Sequence, residues 1–323
     1  MDQFLSCDWG TSSFRLRCVN TATFEYTSIE SRHLGIARIF DNWKQEGAND
    51  AGRMKFYAGI IKEQLANLEN RLGFRIHGLP LVISGMATSS LGMVELPYKE
   101  IPAMANGSGL FVKKFTAANI DHDIYLVSGL KSGNDVMRGE ETQLAGCNLS
   151  GKNDELVVLP GTHSKHIYVK DGVIETFRTF MTGEFFDILS SKSILAASVK
   201  MTRSLSEPGH LSSFESGLTL SQSGNLLNNI FTVRTNALFK KFTAEENYYF
   251  LSGLLIGSEL INIAPSNEVK RVTLVTDDIL LPYYETAFQT LGRSVEKGTL
   301  MTEDATIALI RGQERILAAF ANA

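Results

Sequence analysis

The feature that most constrains the fold of this chain is a short pattern that occurs twice, 151 residues apart. An apolar run leads into Gly-Thr-x-Ser and then into an alternating run, first in FLSCDWGTSSFRLRCV and again in ELVVLPGTHSKHIYVK. Each copy predicts a strand, a tight turn at a glycine and a second strand. A duplicated strand–turn–strand unit predicts a chain built from two similar halves.

Apolar periodicity over the rest of the chain predicts an α/β protein. Helices repeat their apolar residues with the helical period, whereas short apolar runs are typical of buried parallel strands. The predicted strands cover 79–85, 123–130, 172–181 and 269–276, and the predicted helices cover 54–73, 139–146, 183–199, 282–292 and 304–323. Asp304 is expected to cap the last helix, and the polar segment 150–154 predicts the boundary between the halves.

Composition narrows the class of protein. The chain has 323 residues, 44% of them hydrophobic, which is enough for two domains with separate cores. Lys and Arg total 31 against 35 for Asp and Glu, so no basic surplus points to nucleic acid. Three cysteines without CxxC spacing predict free thiols in a reducing compartment. No signal-peptide pattern or membrane-length apolar run is present, so we expect a cytoplasmic protein without membrane or nucleic-acid partners.

The two glycine turns are candidate phosphate sites. A hairpin tip made of Gly and small hydroxyl residues can present backbone N–H groups and hydroxyls to phosphate oxygens. The alternative is that both are ordinary hairpin turns. Asp8 in the first copy is replaced by Leu159 in the second. A carboxylate beside a phosphate loop suits hydrated Mg²⁺, although an Asp at a strand end also forms ordinary turns.

Two adjacent glutamates, Glu140 and Glu141, stand at the start of the predicted helix in MRGEETQLAG. Carboxylates at this position can simply complement the helix dipole. The functional alternative is a general base that takes a proton from an attacking hydroxyl. That role requires only one of the two.

Two further stretches could bind a polar ligand. SGMATSSLGMVELPY follows a predicted strand and offers several hydroxyls, including Ser84 and Ser89, to a polyhydroxylated ligand. FRTFMTGE places Arg178 after an apolar run and Glu184 near a helix start. Arg178 could bind a substrate carboxylate through its guanidinium fork or pair with a neighbouring acid.

Taken together, these motifs resemble the superfamily of sugar kinases, heat-shock proteins and actin. The resemblance implies two ribonuclease-H-like (actin-like ATPase) domains with a cleft between them, each domain supplying one phosphate hairpin. By this plan residues 1–149 plus 305–323 form the N-terminal domain, with the sugar-acid site, and residues 150–304 form the C-terminal domain, with the adenosine pocket. GEETQLAG is similar to the segment that carries the catalytic carboxylate in glycerol-kinase-like enzymes, which favours Glu140 as the base.

A closer resemblance is to the 2-dehydro-3-deoxygalactonokinases, carried by DWGTSSFR, SGMATSSLGMVELPY, NDVMRGEETQLAG, PGTHSKHIYV, FRTFMTGE and FLSGLLIGSEL in order from residue 8 to about residue 260. It implies transfer of the γ-phosphoryl group of ATP to the 6-hydroxyl of 2-dehydro-3-deoxy-D-galactonate, with Asp8 holding Mg²⁺ through water. The implied phosphate and ATP contacts are Gly10, Thr11, Ser12, Gly161, Thr162, His163, Ser164, Gly253 and Gly257. The implied sugar-acid contacts are Ser84, Gly85, Met86, Ser89, Arg138, Arg178 and Glu184.

One departure from the family concerns the turn after the predicted strand 269–276. Relatives carry glycine where this chain has Asp277 and Asp278, next to the expected adenosine pocket. This leaves open which nucleotide the chain prefers and whether it is a non-catalytic sugar-acid or nucleotide-binding relative. A kinase for another 2-keto-3-deoxy sugar acid is a separate alternative, because stereochemistry at one carbon depends on a few hydrogen bonds in a pocket. The sequence leaves a homodimer open as well.

Overall fold

The computed structural model describes residues 2–46, 49–117, 120–202, 204–261, 263, 271–292 and 300–321. The chain divides into two compact units. The first comprises Met1–Lys152, Val169–Thr176 and Ala305–Ala323, and the second comprises Asn153–Tyr168 and Phe177–Asp304. The division between Lys152 and Asn153 lies within the polar segment 150–154.

The described residues form strands and helices in an alternating α/β order. The strands are β1 (Gln3–Trp9), β2 (Phe14–Asn20), β3 (Tyr26–Ser31), β4 (Leu81–Gly85), β5 (Lys99–Glu100), β6 (Ala103–Met104), β7 (Val112–Phe115), β8 (Ile124–Val127), β9 (Leu130–Lys131), β10 (Val136–Met137), β11 (Glu155–Leu159), β12 (Ser164–Lys170), β13 (Val173–Phe180), β14 (Arg271–Thr276) and β15 (Leu300–Asp304). The helices are α1 (Ile36–Gln45), α2 (Asp50–Leu72), α3 (Glu140–Gly146), α4 (Thr182–Ser191), α5 (Pro208–Ser221), α6 (Leu226–Ile230), α7 (Thr232–Leu238), α8 (Ala244–Leu260), α9 (Leu281–Thr290) and α10 (Ala305–Ala321).

The main sheet of the first unit has the strand order β3-β2-β1-β4-β8-β7. β1 pairs antiparallel with β2 and parallel with β4, and β4 pairs parallel with β8. Alternate residues of β1 face opposite sides of the sheet. Leu5, Cys7 and Trp9 therefore belong to a core that also contains apolar residues of α2, whereas Phe4 packs with apolar residues of α10.

The second unit repeats this topology. The sheet to which it contributes β11, β14 and β15 has the order β15-β14-β11-β12-β13-β6, with β11 parallel to β14 and β14 parallel to β15. Val169–Thr176, at the end of β12 and the start of β13, group with the first unit. The connections from β11 to β12 and from β12 to β13 are only a few residues long, which requires antiparallel neighbours. Without the edge strands β7 and β6, and with the remaining strands numbered in chain order, both sheets read 3-2-1-4-5, and in both the second strand runs antiparallel to the first and the third. This duplicated order confirms the predicted ribonuclease-H-like α/β class.

The last helix, α10, completes the first unit. Gln313 is fully buried, and its side-chain amide donates to the Cys7 carbonyl of β1 and to the Ser84 hydroxyl of β4, each at 2.9 Å. Close packing against α3 depends on Gly312, because a Cβ there would lie 1.7 Å from the Thr142 carbonyl oxygen. The helix therefore holds both strands that lead into the candidate site.

One predicted helix differs in the structure. The predicted helix 183–199 ends as α4 at Ser191 and is followed by a separate 3-10 segment, Ile194–Ser198. Asp304 ends β15, paired with Thr276, and directly precedes α10, so it stands at the position of the predicted cap. Within the described residues, no helix combines the length and the apolar character that a bilayer crossing requires.

Candidate active site

The first hairpin connects β1 and β2 through Gly10, Thr11, Ser12 and Ser13. The Gly10 amide donates to the Ser13 carbonyl at 2.9 Å and closes the turn. Thr11 and Ser12 are exposed at the tip. This placement is what a phosphate-binding hairpin requires, because hydroxyls and backbone N–H groups at an open tip can approach a ligand.

A glycine outside the motif fixes the shape of this hairpin. Gly35 precedes α1, and a Cβ on it would lie 2.4 Å from the Thr11 carbonyl oxygen. The amides of Ile36 and Ala37 donate to the carbonyls of Gly10 and Thr11 at 3.0 and 3.2 Å. The start of α1 therefore lies directly against the hairpin backbone, a contact that the sequence analysis missed.

Asp8 lies one residue before the end of β1, with its side chain partly exposed. Its Oδ2 accepts from Arg15 Nη1 at 3.3 Å, and Arg15 also pairs with Glu30 at 3.1 Å. Gly85 ends the neighbouring strand β4 with a φ of 90°, and a Cβ there would lie 2.8 Å from the Trp9 carbonyl and 3.6 Å from Asp8 Oδ1. Only glycine suits this backbone conformation at such a close approach.

Glu140 and Glu141 begin α3 beside these strand ends. A Cβ on the preceding Gly139 would lie 3.4 Å from the Gly85 Cα atom, so the start of α3 adjoins the end of β4. The structure thus brings Asp8, Gly85 and the Glu140 segment together although they are far apart in sequence. Met86, which follows Gly85, is partly exposed in the same turn.

The two glutamates differ in environment. Glu140 is partly exposed, and its Oε2 accepts from the Arg138 amide at 3.0 Å. Glu141 is 2% exposed and accepts from the Gly139 amide at 2.7 Å and from the Thr142 hydroxyl at 2.9 Å. Burial, followed by the charge of Glu140, raises the pKa of Glu141 to about 8. Only Glu140 is accessible to a substrate hydroxyl.

Three residues assigned to sugar-acid binding have buried side chains with internal partners. Ser84 has no exposed surface and accepts from Gln313. Ser89 donates to the Met86 carbonyl at 2.8 Å and closes a turn. The guanidinium of Arg138 donates to Thr88 Oγ1 at 2.5 Å and to the Leu96 carbonyl, and it stacks on the Tyr98 ring. These contacts give all three side chains structural roles, and their assignment to the sugar acid stays a prediction.

The second hairpin, in the second unit, repeats the design of the first. The Gly161 amide donates to Ser164 Oγ at 3.3 Å, while Thr162 and His163 are exposed at the tip. Gly183 in α4 lies against this hairpin, because a Cβ there would come within 2.6 Å of the Gly161 carbonyl oxygen. The Glu184 amide donates to the Thr162 carbonyl at 3.0 Å.

His163 and Glu184, which the sequence analysis assigned to different ligands, form a pair. His163 Nε2 lies 2.5 Å from Glu184 Oε2, and both side chains are partly exposed. Lys165 Nζ donates to the His163 carbonyl at 3.0 Å and places a cation against the hairpin backbone. Arg178 is exposed on β13 and makes no ion pair within the described part of the chain, so its guanidinium is available to an anion.

A cavity of about 300 Å³ adjoins the second hairpin. Gly161 and Thr162 contribute to its wall, as do the starts of α4 and α9 and one side of α8. Its larger lining side chains are Phe186, Tyr248, Ile279, Leu280, Tyr283 and Tyr284. Aromatic and aliphatic walls beside a hairpin with exposed hydrogen-bond donors are suited to a flat heterocyclic base attached to phosphates.

Gly253 and Gly257, predicted to line the adenosine pocket, do not contribute to the wall of this cavity. A Cβ on Gly253 would lie 2.1 Å from the Phe214 carbonyl of α5, and one on Gly257 would lie 2.3 Å from Ser221 Oγ. Both glycines therefore face α5 and allow the two helices to pack closely. The cavity is lined instead by Tyr248, Ser252, Leu255 and Ile256 from another side of α8.

The Asp277–Asp278 turn does not fill the cavity. Asp277 Oδ1 accepts from the amides of Ile279 and Leu280 at 3.1 and 3.0 Å, so its carboxylate caps the turn that leads into α9. Asp278 is exposed and does not contribute to the cavity wall. The turn is therefore held by a side-chain cap.

Comparisons with known proteins agree on one family. The sequence profile described as DGOK, 2-keto-3-deoxy-galactonokinase, matches residues 8–311. The protein named "Probable 2-dehydro-3-deoxygalactonokinase DgoK1" from Rhizobium meliloti (strain 1021) is 32% identical over 90% of both chains. The 2-dehydro-3-deoxygalactonokinase of Escherichia coli (strain K12) is 33% identical over 67% of this chain and 72% of its own.

A solved structure supports the same relationship. The crystal structure of a candidate 2-dehydro-3-deoxygalactonokinase from Sinorhizobium meliloti superimposes with a TM-score of 0.78 at 29% identity. The match covers 98% of this chain and 96% of that one. With the family profile spanning nearly the whole sequence and a relative 32% identical over 90% of it, this chain belongs to the 2-keto-3-deoxy-galactonokinase family.

Proposed function

We propose that this protein is a kinase that transfers the γ-phosphoryl group of ATP to the 6-hydroxyl of 2-dehydro-3-deoxy-D-galactonate. The observation that carries the proposal is the aromatic cavity beside the exposed tip of the second hairpin. A nucleotide needs both an apolar site for its base and N–H and hydroxyl donors for its phosphates. The choice of sugar acid is supported by the names of the two curated relatives.

In this proposal the two hairpins bind phosphate groups. Thr11 and Ser12 in the first unit and Thr162 and His163 in the second present exposed donors. The nearby Lys165 ammonium adds positive charge to the second hairpin. Phosphoryl transfer depends mainly on positioning and on electrostatic stabilisation of the phosphate oxygens, which these groups would provide.

Glu140 is the proposed general base. The 6-hydroxyl oxygen forms a bond to the γ-phosphorus, the bond from that phosphorus to the β,γ-bridging oxygen breaks, and the hydroxyl proton passes to Glu140. Partial exposure gives the substrate access to this carboxylate, whereas burial denies it to Glu141. Arg178, exposed on β13, is a proposed contact for a carboxylate.

Asp8 is the proposed magnesium residue. A single partly exposed carboxylate suits a cation that keeps most of its water ligands, and only one oxygen of Asp8 pairs with Arg15. Magnesium, when bound, would neutralise charge on the phosphate oxygens. Arg15 would keep the Asp8 side chain oriented at the end of β1.

The test is an ADP-release assay with a panel of 2-keto-3-deoxy sugar acids, each offered with ATP and with GTP. We expect turnover with 2-dehydro-3-deoxy-D-galactonate and ATP. Preference for another epimer would identify a different sugar-acid kinase. No turnover with any acceptor, together with retained ADP binding by calorimetry, would instead identify a non-catalytic binding protein.

A further inference from the structure

A buried carboxylate on α8, Glu259, lies behind the second hairpin and has no place in the chemistry above. It is 2% exposed, and its neighbours come from three other elements. Oε1 lies 3.0 Å from His166 Nε2 of β12, and Oε2 accepts from Thr182 Oγ1 of α4 at 2.5 Å and from the Tyr284 hydroxyl of α9 at 2.8 Å. A buried carboxylate with three hydrogen-bond partners holds the elements that carry those partners, β12, α4 and α9, in fixed positions around α8.

One set of these bonds runs from Glu259 to the hairpin. The Tyr284 hydroxyl has one proton, which it donates to Glu259. Ser164 Oγ, 3.3 Å from the Tyr284 oxygen, must therefore donate its own proton to that oxygen. Ser164 Oγ in turn accepts from the Gly161 amide. The result is a chain of donors, from Gly161 through Ser164 and Tyr284, that ends on the carboxylate. Burial, followed by the charge of Glu259, raises the pKa of Tyr284, which keeps its hydroxyl protonated.

The second set reaches the hairpin from the other side. Thr182 begins α4, and the next two residues, Gly183 and Glu184, make the close contact and the hydrogen bond with Gly161 and Thr162. By binding Thr182, Glu259 fixes the start of the helix against which the hairpin rests. Thr182 and Tyr284 also line the cavity beside the hairpin.

We propose that Glu259 is a positioning residue for the nucleotide phosphates, because it holds the second hairpin in its binding shape through Tyr284 and Ser164 on one side and Thr182 on the other. This inference rests on the proposed function insofar as the ligand is a nucleotide. It predicts that the network sets affinity for phosphate groups and leaves affinity for the nucleoside and the sugar acid unchanged.

The central variant is Tyr284→Phe, which keeps the ring and removes one link. We expect ADP binding by calorimetry to weaken about tenfold, since one buried hydrogen-bond chain is broken. Adenosine binding and the KM for the sugar acid should stay within about twofold, while the KM for ATP rises in parallel with the ADP effect. Ser164→Ala breaks the next link and should give the same pattern if Tyr284→Phe fails to fold. Ser164 has no exposed surface, so its hydroxyl acts through the hairpin backbone rather than by touching a phosphate.

The matched control is Tyr249→Phe. Tyr249 is a fully buried tyrosine of the same core cluster, does not line the cavity, and has no described bond to Glu259 or Ser164. We expect it to bind ADP like the wild type. Glu259→Gln should retain more ADP affinity than Glu259→Ala, because the amide oxygen of Gln can still accept from Tyr284 and Thr182.

Hydrogen exchange of the ligand-free protein separates the two proposals. Tyr284→Phe should speed amide exchange in 161–164 and leave 10–13 unchanged. If the wild-type protein bound no nucleotide, the proposed function would fail. Faster exchange of the second hairpin in Tyr284→Phe would still show that the network holds this hairpin in shape. If Tyr284→Phe matched Tyr249→Phe in both ADP affinity and exchange, or lost adenosine and ADP affinity equally, the positioning role would be overturned.

Discussion

Gly35 and Gly183 hold equivalent positions in the two units: each lies against the backbone of the hairpin that precedes it. A Cβ would come within 2.4 Å of the Thr11 carbonyl oxygen at Gly35 and within 2.6 Å of the Gly161 carbonyl oxygen at Gly183. In both units the following helix start also donates to hairpin carbonyls. The duplication therefore extends beyond Gly-Thr-x-Ser to the glycine that supports it.

Replacing either supporting glycine by alanine should disturb its hairpin. The added methyl group would meet backbone atoms that cannot rotate away, so we expect a loss of about 1–3 kcal/mol in the free energy of unfolding. ADP affinity should fall in Gly183→Ala. Chemical denaturation and calorimetry would measure the two effects.

Gly59→Ala is the control for this pair. Gly59 is exposed within α2, and a Cβ there would meet nothing within 4 Å. Alanine at this site should stabilise the helix by about 0.5–1 kcal/mol. Equal stabilities of Gly35→Ala and Gly59→Ala would show that the hairpin does not depend on the close contact.

Glu140→Gln should reduce sugar-dependent ADP formation by about 10²–10⁴-fold, since an amide cannot accept the hydroxyl proton as a base does. ATP binding should change little, because only the first unit's acceptor site is altered. Initial rates and equilibrium binding would be compared with Glu141→Gln, which leaves the accessible carboxylate in place. Turnover that survives in Glu140→Gln would remove Glu140 from the role of base.

The pH dependence of stability should carry a signature of Glu141. Its pKa of about 8 in the folded protein exceeds the ordinary value of 4.5. Between these values the folded state binds more protons than the unfolded state, so the contribution of Glu141 is complete below about pH 4.5 and is lost as pH rises toward 8. A glutamine side chain is neutral at every pH, like the protonated acid. The variant Glu141→Gln should therefore keep its stability as the pH rises from 4.5 to 8.

Urea denaturation at several pH values would test this expectation. The stability of Glu141→Gln relative to wild type should increase by several kcal/mol, on the order of the shift, from pH 5 to pH 8.5. A difference between the two proteins that does not change with pH would mean that Glu141 is ionised in the folded state. In that case burial does not control its protonation.

The cap at Asp277 should matter for stability more than for nucleotide choice. Asp277→Ala removes the acceptor for two amides and should lower the free energy of unfolding by about 1 kcal/mol. Asp277→Asn should keep the cap, and Asp278→Ala, at an exposed neighbour, should change stability by less than about 0.5 kcal/mol. A KM for ATP that falls sharply in Asp278→Ala would show that its charge repels the nucleotide.

Local patterns were enough to predict the two hairpins and several helix ends. Gly73, for example, ends α2 with a φ of 77°, as its position after the periodic segment indicated. The strand order and the contacts of Gly35 and Gly183 depend on pairing between distant segments, for which a single sequence carries little signal. The local sign of these contacts was a similar spacing: Gly35 follows Gly10 by 25 residues, and Gly183 follows Gly161 by 22.

The sequence does not show which side of a helix faces a ligand when the helix is buried on several sides. α8 is apolar around most of its circumference, so its sequence could not show that Gly253 and Gly257 face α5 while Tyr248 faces the cavity. Ser84 raises the same difficulty. In a sequence, a serine whose hydroxyl makes a hydrogen bond inside the core cannot be distinguished from a serine whose hydroxyl binds a ligand. Glu259 and His166 were missed because they are isolated in sequence and meet only in the fold.

The return of α10 to the first unit has a consequence for biosynthesis. Its residues Ile310, Ile316 and Leu317 cover Phe4, Val19 and Val82, and Gln313 binds the strands beside the first hairpin. The ribosome makes these residues only after the whole second unit, residues 153–168 and 177–304. The first unit therefore stays incomplete, with an apolar sheet face open to chaperones, until the second unit has emerged.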